Sequence, residues 1–217
     1  PADFTEAFGR MTADGDDVVA LTISSALSGT YQSAMIAAAD FPGRVRVVDT
    51  LSVTLGAQIQ ARYALSLAAQ GKSMDEVADA VEAVKGRVHL IALLDTLEYL
   101  KRGGRISGAA ALAGGILSIK PVITIRDGAV ALIGKARGSK NGNNLLSQMV
   151  EKYGVDFSMP YMLGYTGLND TMLQKYKADS ARLWVGHADD LPSMIIGSVV
   201  GTHAGPGAIG VAFFGNE

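Results

Sequence analysis

The feature that most constrains this chain is an alternation near its start. Residues 18–23 form a short β-rich run, after which Tyr31, Ala34, Met35 and Ala38 repeat at helical spacing. Residues 45–48 form a second β-rich run, and Ala57, Ala61, Leu65 and Ala68 mark a second helical stripe. Strand, helix, strand, helix with short links predicts a parallel sheet with flanking helices, an α/β arrangement. Phe4, Ala7, Phe8 and Met11 predict a further helix at the very start. No signal-peptide pattern follows Pro1, so the chain reads as a fragment that begins just before that helix.

Gly71 ends the stripe of residues 57–68, and Ser73-Met74-Asp75-Glu76 has the spacing of a capping box, in which hydroxyl and carboxylate satisfy early backbone donors. Met74, Val77, Ala78, Val81 and Val84 then predict a third helix, stopped at Gly86. Beyond Gly86 the order of elements becomes irregular. We expect a boundary there, between a parallel α/β domain at 1–86 and an α+β domain at 87–217. Strands are expected at 88–94, 122–126, 129–134, 161–165, 182–185 and 210–214, in a mainly antiparallel six-stranded sheet. Asp127-Gly128 favours the positive φ values of a tight hairpin between the second and third of these. Helices are expected at 95–101, 143–153, 169–178 and 192–199.

Composition narrows the function classes. Hydrophobic residues make up 48% of the chain and charged residues 18%, a thin charged shell that leaves apolar surface for a ligand or partner. The net charge is −2 and the cations are scattered, which argues against nucleic acid as a partner. With no cysteine, disulfides, thiol catalysis and Cys-based zinc sites are excluded. No apolar stretch reaches the ~18–20 residues that span a bilayer.

Chemistry is most concentrated in Ser24-Ser25-Ala26-Leu27-Ser28-Gly29-Thr30, which leaves a strand and enters a helix. Such a loop presents unpaired N–H groups and the positive end of a helix dipole, a place for an anion. Ser24, Ser25, Ser28 and Thr30 add hydroxyl donors and Gly29 permits close approach. Simple helix capping is the bland alternative, but it accounts for one hydroxyl, not four. His203 lies in the glycine-rich run 201–210, expected to be a tight loop that approaches a ligand or leaves the imidazole solvated. His89, inside an expected strand, and His187, beside Asp189 and Asp190, read as structural and exposed.

Two motif matches fail on context. Gly205-x-Gly207-x-x-Gly210 runs into an apolar strand, whereas a dinucleotide fingerprint leaves a strand and opens a helix. Gly71-Lys72-Ser73 lacks the first glycine of a phosphate loop, where Ser66 stands. Lys101, Arg102 and Arg105 crowd a helix end, either complementing its dipole or forming a docking surface. Arg137, at the end of a hairpin strand, faces an anion or solvent.

Residues 23–34, residues 97–107 with Lys120-Pro121, and residues 201–210 together resemble the DegV family, and they are spread over essentially the whole chain. The resemblance implies an EDD-like parallel α/β domain beside a second α+β domain. It implies a long-chain fatty acid with its acyl chain buried in the first domain and its carboxylate near the domain junction. By position, Ser24-Ser25 corresponds to the carboxylate-binding serine site, with Ser28, Gly29 and Thr30 beside it. Arg137 corresponds to the family's basic head-group residue and His203 to its head-group histidine. The implied role is a non-catalytic cytoplasmic carrier without cofactors that presents the acid to a fatty acid kinase for acyl-phosphate formation and allows transient membrane contact. Family members have a further strand, helix and Thr/Ser loop that would precede Pro1, so the first sheet is expected to be incomplete here. Two other readings stay open: a serine-dependent acyl hydrolase or transferase using Ser25 and His203, and a binding module for another small anion such as a phosphorylated metabolite.

Overall fold

The computed structural model describes residues 1–106, 119–187 and 191–216. Ser107, in the second of the resembling runs, and the Asp189-Asp190 pair lie outside the described residues.

The expected alternation forms. Helix α1 (Ala2–Thr12) precedes β1 (Val18–Thr22), α2 (Thr30–Ala38), β2 (Val45–Asp49), α3 (Leu55–Ala69) and α4 (Met74–Val84). β1 and β2 pair in parallel from Val18↔Val45 to Thr22↔Asp49. Both faces of this pair are covered, as parallel strands require: Phe8, Ala34 and Ala37 pack with Val45 on one side, Ala64, Val77, Ala78 and Val81 with Val48 on the other. The capping box closes α4, with the Glu76 N–H donating to Ser73 Oγ at 3.3 Å and the Ser73 N–H to Glu76 Oε2 at 2.9 Å. The Ser73 N–H, then Lys72, hold the Glu76 carboxyl down at about 2.

The stripe expected on α3 is not its buried face. Leu55 and Ile59 are fully buried with Leu90, Met162, Ala212 and Phe214 of the second sheet, whereas Leu65 is 69% exposed. The helix is shared between two sheets, and small alanines repeating every fourth residue do not reveal which face the second sheet claims.

The second unit comprises β3 (Val88–Leu93), α5 (Glu98–Arg102), β4 (Ile119–Arg126), β5 (Ala129–Arg137), α6 (Gly138–Tyr153), β6 (Met162–Tyr165), α7 (Thr171–Asp179), β7 (Ser193–Ile195), α8 (Ser198–Ala204) and β8 (Ile209–Phe214). Its six strands are ordered β5-β4-β3-β8-β6-β7, antiparallel except for β6–β7. The result is a mixed fold, a small parallel sheet and a mostly antiparallel six-stranded one. The β4–β5 turn uses Asp127 at φ 50° and Gly128 at φ 77°, the pair of positive values its sequence predicts.

Three expectations are corrected. Residues 182–185 are not a strand: Ala181–Trp184 is a turn of 3₁₀ helix that sinks Trp184 completely, its indole N–H donating to Ser180 Oγ at 3.1 Å. The sixth strand is Ser193–Ile195, inside the expected 192–199 helix, because backbone pairing with β6 holds it extended. The run 201–210 is not a loop throughout, since its first four residues complete α8 and only 205–208 link α8 to β8.

One face of the large sheet carries the main core, where Ile91, Leu93, Val211 and Phe213 pack with Leu146 and Val150 of α6. The other face, with Leu90, Ala212 and Phe214, meets α3 over part of its width. Over the rest it meets the loops that follow β1 and β2.

Candidate functional site

Between those loops and the large sheet lies a cavity of about 150 Å³. That equals the size of an engineered apolar cavity that stays dry and binds benzene. Its floor is Leu90, Ala92, Ile123 and Ile125 of the sheet, its roof Ile23, Leu27 and Val53, and its side Val199, Val200 and Ala204 of α8. The tail space implied for residues 1–86 is therefore shared between the two sheets, with most of its wall from beyond residue 86.

Four polar side chains break this apolar lining: Ser28, Thr54, Arg105 and His203. Ser28, Arg105 and His203 are neighbours. The Arg105 guanidinium donates from Nε to the Leu27 carbonyl at 3.2 Å and from Nη1 to the Gly103 carbonyl at 2.7 Å. His203 Nδ1 rests against Gly103, where a Cβ would collide with it, and is buried without a hydrogen-bond partner among the described residues. An orphaned buried imidazole nitrogen costs on the order of 1–3 kcal/mol.

The serine loop leaves β1 and enters α2, as expected, but its backbone donors are mostly spent internally. The Ser25 N–H reaches the Asp49 carboxylate at 3.2 and 3.3 Å. Ala26 N–H donates to Ser24 Oγ, and Leu27 and Ser28 N–H donate to the Ser24 carbonyl. The Thr30 N–H turns back to Ser28 Oγ, whose hydroxyl lies 2.8 Å from Thr30 Oγ1. The N–H groups of Ser25 to Ser28 and of Thr30 are thus engaged within the two loops.

Of the residues singled out by sequence, Ser28 and His203 meet at the cavity. Ser24 is buried behind it, Ser25 and Gly29 are exposed, and Thr30 supports Ser28. Ser25 makes no hydrogen bond to His203, so the nucleophile and base of the hydrolase reading are not paired. Arg137 is exposed where β5 hands over to α6 and is not among the described lining residues. The cation that does line the cavity, Arg105, was legible only as one of three at a helix end.

Sequence reasoning missed Asp49 and the loop after β2. The Asp49 carboxylate also accepts the Leu51 N–H at 2.9 Å, and fully buried Thr50 donates to the Thr22 carbonyl at 2.7 Å. Leu51 and Thr54 adopt φ 49° and 45°, strain of ~1–3 kcal/mol each, and Thr54 lies on the cavity wall. The available signal was position, because ligands of parallel sheets lie beyond the carboxyl ends of the strands and this loop leaves such an end. Among the described residues no cluster of His, Asp and Glu could hold a metal ion, and no helix is long and apolar enough to cross a membrane.

The family model described as "Uncharacterised protein, DegV family" matches residues 1–216. A DegV domain-containing protein of Deinococcus radiodurans is 39% identical over 98% of this chain and 75% of the relative. Among solved structures, "Fatty Acid Binding of a DegV family Protein from Thermus thermophilus" is 32% identical with a TM-score of 0.84, covering 100% of this chain and 77% of that one. A DegV family protein from Eubacterium eligens, loaded with heptadecanoic acid, is 25% identical with a TM-score of 0.80, covering 98% and 76%.

Proposed function

Since this chain belongs to the DegV family, we propose that it binds a long-chain fatty acid, with the tail in the cavity between the sheets and the carboxylate at Ser28, Arg105 and His203. The observation that carries this reading is an apolar cavity at which three of the four polar lining side chains, Ser28, Arg105 and His203, are gathered together. Its support from relatives is that similar structures were solved as fatty-acid-binding or fatty-acid-loaded proteins. Each methylene taken out of water contributes ~0.8 kcal/mol before ordering costs, so the tail's contribution accumulates along its buried length. A charge-assisted hydrogen bond at the exposed head contributes far less. The tail sets affinity and the head sets orientation.

Ser24 and Ser25 act on the carboxylate through the loop they shape, with Gly29 and Thr30 setting the turn that presents Ser28. The head group, held near the exposed Arg105, is presented to a fatty acid kinase, which supplies the phosphate donor while the carrier does no chemistry of its own. In this reading the carrier works in the cytoplasm, with the boundary between its two domains near Gly86.

Denaturing mass spectrometry of protein purified from bacteria should release a fatty acid, and its absence would refute the proposal. In titrations with a fluorescent fatty acid, Arg105→Ala should weaken binding by about tenfold, the loss of one partly exposed charged hydrogen bond. Arg137→Ala should stay within about twofold. The reverse order would return the head-group role to Arg137.

A further inference from the structure

A second cavity lies beyond the floor of the first, and one side chain walls both. β3 and β4 pair only from Ile91↔Thr124 to Leu93↔Val122. Nearer the start of β3, Val88, His89 and Leu90 pair with β8 alone, while β4 runs on through Ile125 and Arg126 into its hairpin. The strands part as a wedge, and the gap, about 230 Å³, is bounded by Val88, His89, Thr124 and Ile125 and lined also by Leu51 and Tyr153. Of the described lining residues, Ile125 alone belongs to both spaces.

The two cavities follow one line. On a strand, alternate residues share a face, so Val88, in the wedge, continues the row of Leu90 and Ala92 in the apolar cavity. A tail lying along that row toward the start of β3 meets Ile125 before it reaches the wedge. Ile125 is held there by its cross-strand partner Val130 and by packing on the Leu55–Ile59 cluster, and a β-branched side chain has little freedom to swing aside. The chemistry changes at the same point, because Lys85, His89, Arg126 and Asp127 border the wedge and offer a methyl end less than the apolar cavity does.

We infer that Ile125 is the stop that sets how long an acyl tail this protein accepts, and that the wedge behind it takes up further methylenes once the stop is trimmed. The inference rests on the fatty-acid-binding reading above. It is tested with the wild-type protein and Ile125→Ala, Ile125→Val and Ile125→Phe, each checked for folding by thermal unfolding and titrated with saturated fatty acids of increasing length. The longest acid bound at undiminished affinity should grow by on the order of two carbons in Ile125→Ala. It should grow less in Ile125→Val and shrink in Ile125→Phe. Should the phenylalanine variant not fold, the alanine and valine variants still order the series. A wild-type protein that binds no fatty acid sinks the parent reading and this one with it. A wild-type protein that binds one, with the same length limit in every folded variant, sinks this inference alone.

Discussion

His203 and His89 show how burial gives one residue type two roles. His203 lines the cavity with a buried nitrogen that has no hydrogen-bond partner among the described residues. His89 is instead stacked on Tyr153, ring centroids 4.2 Å apart, and desolvation lowers its pKa from the ordinary 6.5. The folded state therefore favours the neutral imidazole, while the unfolded chain takes up a proton near 6.5. Stability from this group is complete above that pH and is lost as pH falls below it toward the depressed folded value. In urea unfolding at pH 8 and pH 5, wild type should lose stability that His89→Phe, which keeps the stack, does not lose. Equal losses in the two proteins would show that His89 is not desolvated in the folded state.

At the scale of elements, the site depends on a hairpin docking on a loop. The tip of β4–β5 reaches back about a hundred residues in sequence to the serine loop, and a Cβ at Gly128 would collide with Ser24 Oγ and touch Leu51 and Ala26. Gly128 is also at φ 77°. Gly128→Ala thus combines backbone strain with overpacking and should cost about 2–4 kcal/mol, with weaker fatty acid binding. Gly43→Ala is the control, because φ is 73° there and nothing lies within 4 Å. It should cost only the strain, ~1 kcal/mol, and leave binding unchanged. Equal effects at both glycines in chemical denaturation would mean that the hairpin does not press on the serine loop.

For the molecule as a whole, α3 ties the two sheets together. Leu55 is fully buried against the large sheet, and a Cβ at Gly164 or Gly210 would come within 2.8 and 3.2 Å of its methyl groups. Those glycines leave the room that Leu55 fills, so Leu55→Ala should cost ~2–5 kcal/mol. Because α3 also packs on β1 and carries Ala64 into the core around Val48, both sheets should melt in one transition that shifts as a unit in the variant. Two separated calorimetric transitions would indicate that the parts on either side of Gly86 unfold independently.

The amino-acid sequence by itself determined the features that rest on near neighbours. Period and turn chemistry read out the β1–α2–β2–α3 alternation, the Ser73–Glu76 capping box, the Asp127-Gly128 hairpin and the serine loop after β1, because each is settled by residues within a few positions. Tertiary structure alone decided which face of α3 is buried, that Ser193–Ile195 is extended, that His203 rides on a helix, and that Arg105 lines the cavity and Arg137 does not. Each of those outcomes turns on contacts between segments tens to more than a hundred residues apart. Local pattern carries no record of such contacts, since a side chain's neighbours across a cavity are set by how whole sheets pack.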